Sequence, residues 1–197
     1  MERLAAVKTL LVQQKKEWGE ILTGFETKNK YAVNDGSGNQ LYFAAEQSAL
    51  LSRLFWKKWR PFTMHIFSEK SSPVLFLQRP LRFYFHEIKI TDFQGTPLGS
   101  VRREFSFFTR EFSVKNADGD IMYHIHGPFF HPWTFHLQKQ NLEVGKISKK
   151  WSGMDKEMFT DADNFNITFP EEAIPQEKAL LLGALFLIDI MYFERTN

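Results

Sequence analysis

The chain has 197 residues, 43% of them hydrophobic and 24% charged, and a net charge of +2. That length suffices for one domain with a sizeable core, and so small a charge excludes bulk polyanion binding, leaving basic contacts to local clusters. The sequence holds no cysteine, which excludes disulfides, cysteine-ligated zinc, thiol catalysis and S-palmitoylation.

In chain order, Leu4, Val7, Leu11 and Trp18 recur at near-helical spacing with lysines opposite, and predict an amphipathic helix over residues 3–18 within an N-terminal unit 1–20. Lys8 interrupts its apolar stretch and no cleavage site follows. The segment is therefore no secretory signal, and the expected compartment is the cytoplasm or the inner face of a membrane. Beyond Gly24 the period changes to two. Tyr31-Ala32-Val33 and Leu41-Tyr42-Phe43 flank a glycine-rich turn, Asn34-Asp35-Gly36-Ser37-Gly38-Asn39, as a hairpin does. Polar turns recur around Ser68–Ser72, Asp92–Thr96, Asn116–Asp120 and Lys139–Asn141, each between runs of about 5–8 residues rich in Phe, Ile, Val or Tyr. This pattern predicts about ten to twelve antiparallel strands, enough to split into a sandwich or close into a barrel.

The end of the chain differs. Ala179 to Phe193, within a helix expected over 178–194, is apolar on every side, so the helix belongs in a core or a bilayer. At about 1.5 Å per residue that stretch reaches roughly 22 Å, short of the roughly 30 Å of a bilayer core. Asp189 at mid-membrane would cost about 2.5–3.5 kcal/mol. A barrel of about twelve strands is too wide for its own side chains to fill. The expected fold is therefore mainly β with α: residues 21–197 form a closed antiparallel barrel of about twelve strands around the helix, with Leu182, Leu185, Phe186 and Asp189 in the lumen. Asp189 then needs a hydrogen-bonded or ionic partner, or a place at the barrel mouth.

Arg53 to Arg60 mixes four cations with three aromatics. Trp56, Lys57, Lys58, Trp59 and Arg60 are the candidate contact with anionic lipid, since tryptophan beside lysine and arginine suits the headgroup layer. The competing reading packs Trp56 and Trp59 on the barrel and leaves the lysines solvated. His124 and His126 share one strand face, but no acid accompanies them at ligand spacing, so satisfied or solvent-facing imidazoles are expected rather than a metal site. The chain has no glycine-rich phosphate loop, nucleophile elbow or zinc-protease helix, and nothing points to an enzyme. A pI near 8.7 permits nucleic-acid binding but comes with no base-reading motif.

Several collinear segments together resemble the phospholipid scramblase family: Leu22-Thr23-Gly24-Phe25-Glu26-Thr27, Arg60-Pro61-Phe62-Thr63, Arg79-Pro80-Leu81-Arg82, Gly145-Lys146-Ile147-Ser148-Lys149-Lys150-Trp151, Phe159-Thr160-Asp161-Ala162-Asp163-Asn164-Phe165 and the final helix. The resemblance implies a tubby-like barrel around a central C-terminal helix. It also implies calcium-responsive binding of membrane phospholipid and passive, ATP-independent movement of lipid between leaflets. The alternative is a peripheral module that binds anionic headgroups as a sensor or scaffold without scrambling. In the family the segment Asp161 to Glu172 is the proposed calcium site. Read as a twelve-residue loop it places Asp161, Asp163 and Glu172 at positions 1, 3 and 12, with Phe165, Asn166 and Phe169 at 5, 6 and 9. Affinity for Ca2+ is then expected to be weak, about 10⁻⁴–10⁻³ M. The other reading of the segment is a polar turn and a strand with Phe165, Ile167 and Phe169 in the core, compatible with calcium at the rim. Where members carry palmitoylated cysteines this chain has Phe83-Tyr84-Phe85, and at a second cysteine-rich stretch it has Phe129-Phe130-His131-Pro132-Trp133. Membrane contact must therefore use aromatics, basic residues and bound ions.

Overall fold

The computed structural model describes residues 1–15, 27–47, 61–80, 86–150 and 164–193. Twelve strands and one long helix follow each other among these residues. The strands are β1 Thr9–Gln14, β2 Thr27–Asp35, β3 Gln40–Gln47, β4 Phe62–Ser68, β5 Pro73–Arg79 and β6 Glu87–Asp92. They continue as β7 Pro97–Glu104, β8 Thr109–Asn116, β9 Ile121–Pro128, β10 Thr134–Lys139, β11 Leu142–Lys150 and β12 Asn164–Thr168, before helix α1, Pro175–Tyr192. Each strand pairs antiparallel with its neighbour in sequence, and β1 closes the ring on β12 from Thr9↔Thr168 to Gln13↔Asn164. Closure leaves no unpaired edge.

Side chains alternate as a closed sheet requires. Leu10 and Val12, Leu75 and Leu77, Ile88 and Ile90, Phe112 and Val114, and Phe165 and Ile167 all point inward and are buried. α1 occupies the space they enclose. Phe186 meets Tyr31 of β2 edge-on at 5.1 Å, Tyr192 meets Phe112 of β8 at 6.2 Å and Phe135 of β10 at 6.1 Å, and Phe193 meets Phe165 of β12 at 5.6 Å. On the remaining side Gly183 lets the wall come close: a Cβ there would lie 3.0 Å from Ile90 Cγ1 of β6. Leu182, Leu185 and Phe186 are wholly buried, and Asp189 nearly so. The Asp189 carboxylate is met inside the barrel, where the Tyr31 hydroxyl donates to Oδ2 at 2.7 Å.

The expected helix over 3–18 is corrected. Glu2–Leu4 forms a single 3-10 turn and Thr9–Gln14 is strand β1; residues 16–26 lie outside those described. Leu4 and Val7, read as helix positions, are buried where the chain enters the barrel, while Leu10 and Val12 follow a period of two. Cross-strand pairing to both β2 and β12 overrides the local helical spacing, because without β1 two sheet edges would stay open.

The first turn of α1 is tied to this N-terminal stretch. Lys178 Nζ donates to the carbonyls of Leu4, Ala5 and Val7 at 2.9, 2.9 and 2.8 Å. Burial pushes its ammonium pKa down from the ordinary lysine value, and three carbonyl acceptors offset that loss of water. Beside it, the Glu177 carboxylate accepts from the Tyr123 hydroxyl at 3.0 Å and from the Ile174 amide at 3.1 Å, which caps the helix start. Replacing Lys178 with Met is expected to lower the unfolding free energy by about 2–3 kcal/mol, the scale of lost hydrogen bonds to a charge. Denaturant titration of both proteins checks this.

Candidate lipid-facing end of the barrel

The two ends of the barrel are built from different residues. At one end, the turn end, tight polar hairpins join the strands. Asp35 Oδ1 accepts from the amides of Ser37 and Asn39, Asp92 Oδ1 from those of Gln94 and Thr96, and Asn116 Oδ1 from that of Asp120. Gly95 supplies the positive φ, +87°, that the Asp92 turn needs. The first turn of α1, the Lys178 tie and Glu177 lie at this end.

At the other end, the loop end, the strand termini Gln14, Gln47, Arg79, Glu104, Pro128 and Lys150 face Thr27, Phe62, Glu87, Thr109, Thr134 and Asn164. Two of its connections are fully described, 105–108 between β7 and β8 and 129–133 between β9 and β10. Both are aromatic. Phe105, Phe107 and Phe108 are 76%, 79% and 84% exposed, and Phe129 and Phe130 are 69% and 93% exposed. Trp133, at the end of the second connection, stacks on Phe193 at 5.6 Å and so joins the loop to the end of α1.

Arg110, near the start of β8, organises this end. Its guanidinium donates to the carbonyls of Pro132 at 2.9 Å and Pro128 at 3.0 Å, and its carbon lies 4.6 Å from the Phe135 ring and 5.2 Å from the Tyr192 ring. Arg103 sits 6.0 Å from the Tyr192 ring and Lys149 4.5 Å from that of Phe193. Burial pushes the Tyr192 phenol pKa up, and Arg103 and Arg110 pull it partly back. The last turn of α1 carries no basic residue. These three strand-borne cations therefore stand where the negative end of the helix dipole needs them.

Of the residues singled out in the sequence, Leu182, Leu185, Phe186 and Asp189 come together in the lumen as expected. Trp56, Lys57, Lys58, Trp59 and Arg60 lie outside the described residues, as do Asp161 and Asp163. Glu172 is exposed and follows β12 at the turn end. Between them, Asn164–Thr168 is an extended barrel strand with Phe165 and Ile167 buried, and the Phe169 amide continues the pairing to Lys8 O at 3.0 Å. Four steps of about 3.3 Å separate the two ends of that strand by about 13 Å. Glu172 thus lies beyond the opposite end of that strand from Asn164. His124 is exposed, and His126 Nδ1 lies 2.7 Å from Glu111 Oε1 on the neighbouring strand, a cross-strand partner that sequence spacing did not show. Among the described residues no group of three or more His, Asp or Glu is arranged to hold a metal.

The sequence reading names Phe129 and Phe130 only as standing where relatives have a cysteine-rich stretch, and does not single out Phe105, Phe107 and Phe108. A signal is present: these two connections lack the Asx and glycine residues that mark the turn-end hairpins at 34–39, 92–96 and 116–120.

Comparison with known proteins fits this picture. The Scramblase family profile matches residues 1–195. The chain is 40% identical over 211 residues to phospholipid scramblase 1 of Mus musculus and 38% identical to phospholipid scramblase 2 of Bos taurus. All of this chain is covered in both cases, with 64% of the mouse protein and 72% of the bovine one. It thus spans just under two thirds of the mouse relative. Phospholipid scramblase family member 5 of Homo sapiens is 33% identical over 210 residues, 78% of its length. A solved structure of a protein from Arabidopsis thaliana aligns with a TM-score of 0.53 over 96% of both chains at 13% identity, a likeness of fold alone.

Arg110 is expected to hold the 129–133 connection in place. In Arg110→Met, amide hydrogen exchange across 129–133 should rise at least tenfold while the turn-end hairpins keep their protection. Equal exchange in both proteins would show that the loop holds itself.

Proposed function

The chain belongs to the phospholipid scramblase family, and on that premise we propose that it docks on the cytoplasmic face of phospholipid membranes in response to calcium. There it lets phospholipids exchange between leaflets passively, with no ATP and no covalent step. The observation behind this reading is the position of α1, enclosed on all sides by strands. Among the described residues no helix is long and apolar enough to cross a membrane.

Moving α1 into lipid would keep the helix dry but would wet the lumen faces of the strands. Exposing roughly five Leu, Ile or Phe side chains costs about 7–15 kcal/mol, comparable to the whole stability of an ordinary domain. A docked barrel that keeps its helix is the less costly state. Such a barrel acts on the bilayer from one side, by binding headgroups and thinning the layer beneath it, at fractions of a kcal/mol per Å of mismatch.

Anionic headgroups are assigned to Trp56, Lys57, Lys58, Trp59 and Arg60, which belong to the connection between β3 and β4. Calcium is assigned to Asp161 and Asp163, which precede Asn164, with lipid phosphate supplying further oxygens; a hard cation takes six to eight. Glu172 has no part in it.

Two measurements test this reading. With no native cysteine, Leu185→Cys is a single-site reporter; it should resist maleimide both in water and on vesicles, and labelling on vesicles alone would show that the helix leaves the barrel. In dye-labelled liposomes the chain should bind and exchange leaflets only with calcium, an effect lost in Asp161→Ala/Asp163→Ala and kept in Glu172→Ala. Binding without exchange would leave a lipid sensor or scaffold in place of a scramblase.

A further inference from the structure

We infer that Phe105, Phe107 and Phe108 of one connection and Phe129 and Phe130 of the other form a wedge that enters the hydrocarbon layer of the bilayer, so that the barrel grips acyl chains as well as headgroups. The inference deepens the membrane reading above and rests on it.

The first ground is that these side chains lie outside the core formed by the described residues. All five are at least two thirds exposed. In the first connection their closest ring partners are each other, with Phe105 and Phe107 4.8 Å apart and Phe107 and Phe108 6.5 Å apart. Single exposed apolar residues are ordinary; five grouped phenylalanines mark a surface that something apolar covers. Hairpin connections of this length call for turn-forming residues, which the turn end uses. Aromatics here satisfy no backbone need.

The second ground is placement. β7, β8, β9 and β10 are consecutive neighbours in the ring, so both connections lie at the loop end. Two strand spacings separate them, about 10 Å. The Arg110 bonds to Pro128 and Pro132 and the 2.7 Å contact between the Ser106 and Thr109 hydroxyls hold the two connections at their bases. A surface held this way loses little freedom on insertion.

The third ground is charge, which selects a bilayer over a second copy of the chain. Arg103, Arg110 and Lys149 sit one or two residues inside their strand ends, behind the aromatic tips. The nearby acids Glu104 and Glu111 are engaged with Ser113 and His126. With the phenylalanines in the acyl layer, the three cations come to headgroup depth, where anionic lipid attracts them. Two copies meeting at this end would instead oppose cation to cation.

The test uses vesicles of phosphatidylcholine and phosphatidylserine with calcium present. Phe107→Asp/Phe130→Asp should keep the thermal unfolding profile of the parent, since neither ring packs in the core, and lose vesicle affinity by about tenfold or more. An environment-sensitive dye on Phe107→Cys or on Phe130→Cys should shift to an apolar spectrum on vesicles, while the same dye on Leu142→Cys at the turn end should not. Normal binding of the parent with undiminished binding of the double aspartate variant overturns the wedge and leaves the membrane reading standing. Absence of binding by the parent itself removes both. A concentration-dependent dimer abolished by the double variant, with vesicle affinity unchanged, would assign the phenylalanines to self-association and also overturn the proposal.

Discussion

Everything in this structure depends on filling a lumen. Twelve strands closed into a ring leave a space that their own side chains cannot reach across. A helix that is apolar on every side has no stable place on a wet surface. Each solves the problem of the other. The inward rows of Leu, Ile, Val and Phe on the strands, the close approach at Gly183 and the edge-on contact of Phe186 with Tyr31 are all terms of that one arrangement. Asp189, the helix carboxylate within the lumen, accepts a hydrogen bond from Tyr31 on the wall.

The same arrangement gives the barrel two unlike ends. The helix begins where short polar turns close the strands, and its exposed amides are met there by Glu177. It finishes where the longer connections lie, and there Arg103, Arg110 and Lys149 gather around Tyr192 and Phe193. A positive collar around the negative end of a helix dipole is stabilising in itself. In a family whose named members are phospholipid scramblases, it also faces anionic lipid headgroups in the proposed orientation.

Much of the fold was legible before any coordinates. Asp35, Asp92 and Asn116 mark their turns because their side chains bond the backbone two to four residues on, a local interaction that sequence shows directly. The apolar run from Ala179 revealed the lumen helix, since no wet face accommodates it. The first strand was not legible. Leu4, Val7 and Leu11 keep helical spacing, but two open sheet edges decided the conformation of Thr9–Gln14, and those edges belong to residues far along the chain. Loop numbering over Asp161–Glu172 assumes a curled segment, whereas pairing with β1 and β11 stretches Asn164–Thr168, a long-range effect of the same kind. Phe105, Phe107 and Phe108 did not stand out because richness in Phe reads as core in a β protein. Only the three-dimensional ring shows which aromatics fall beyond the strand ends.

Barrel closure also sets an order for synthesis. Eleven of the twelve strand pairings join neighbours in sequence, but β1 can pair on its second side only once β12 is present, and the lumen stays hollow until α1 is in place. Without β12 and α1 the remaining strands have two open edges and an unfilled concave face.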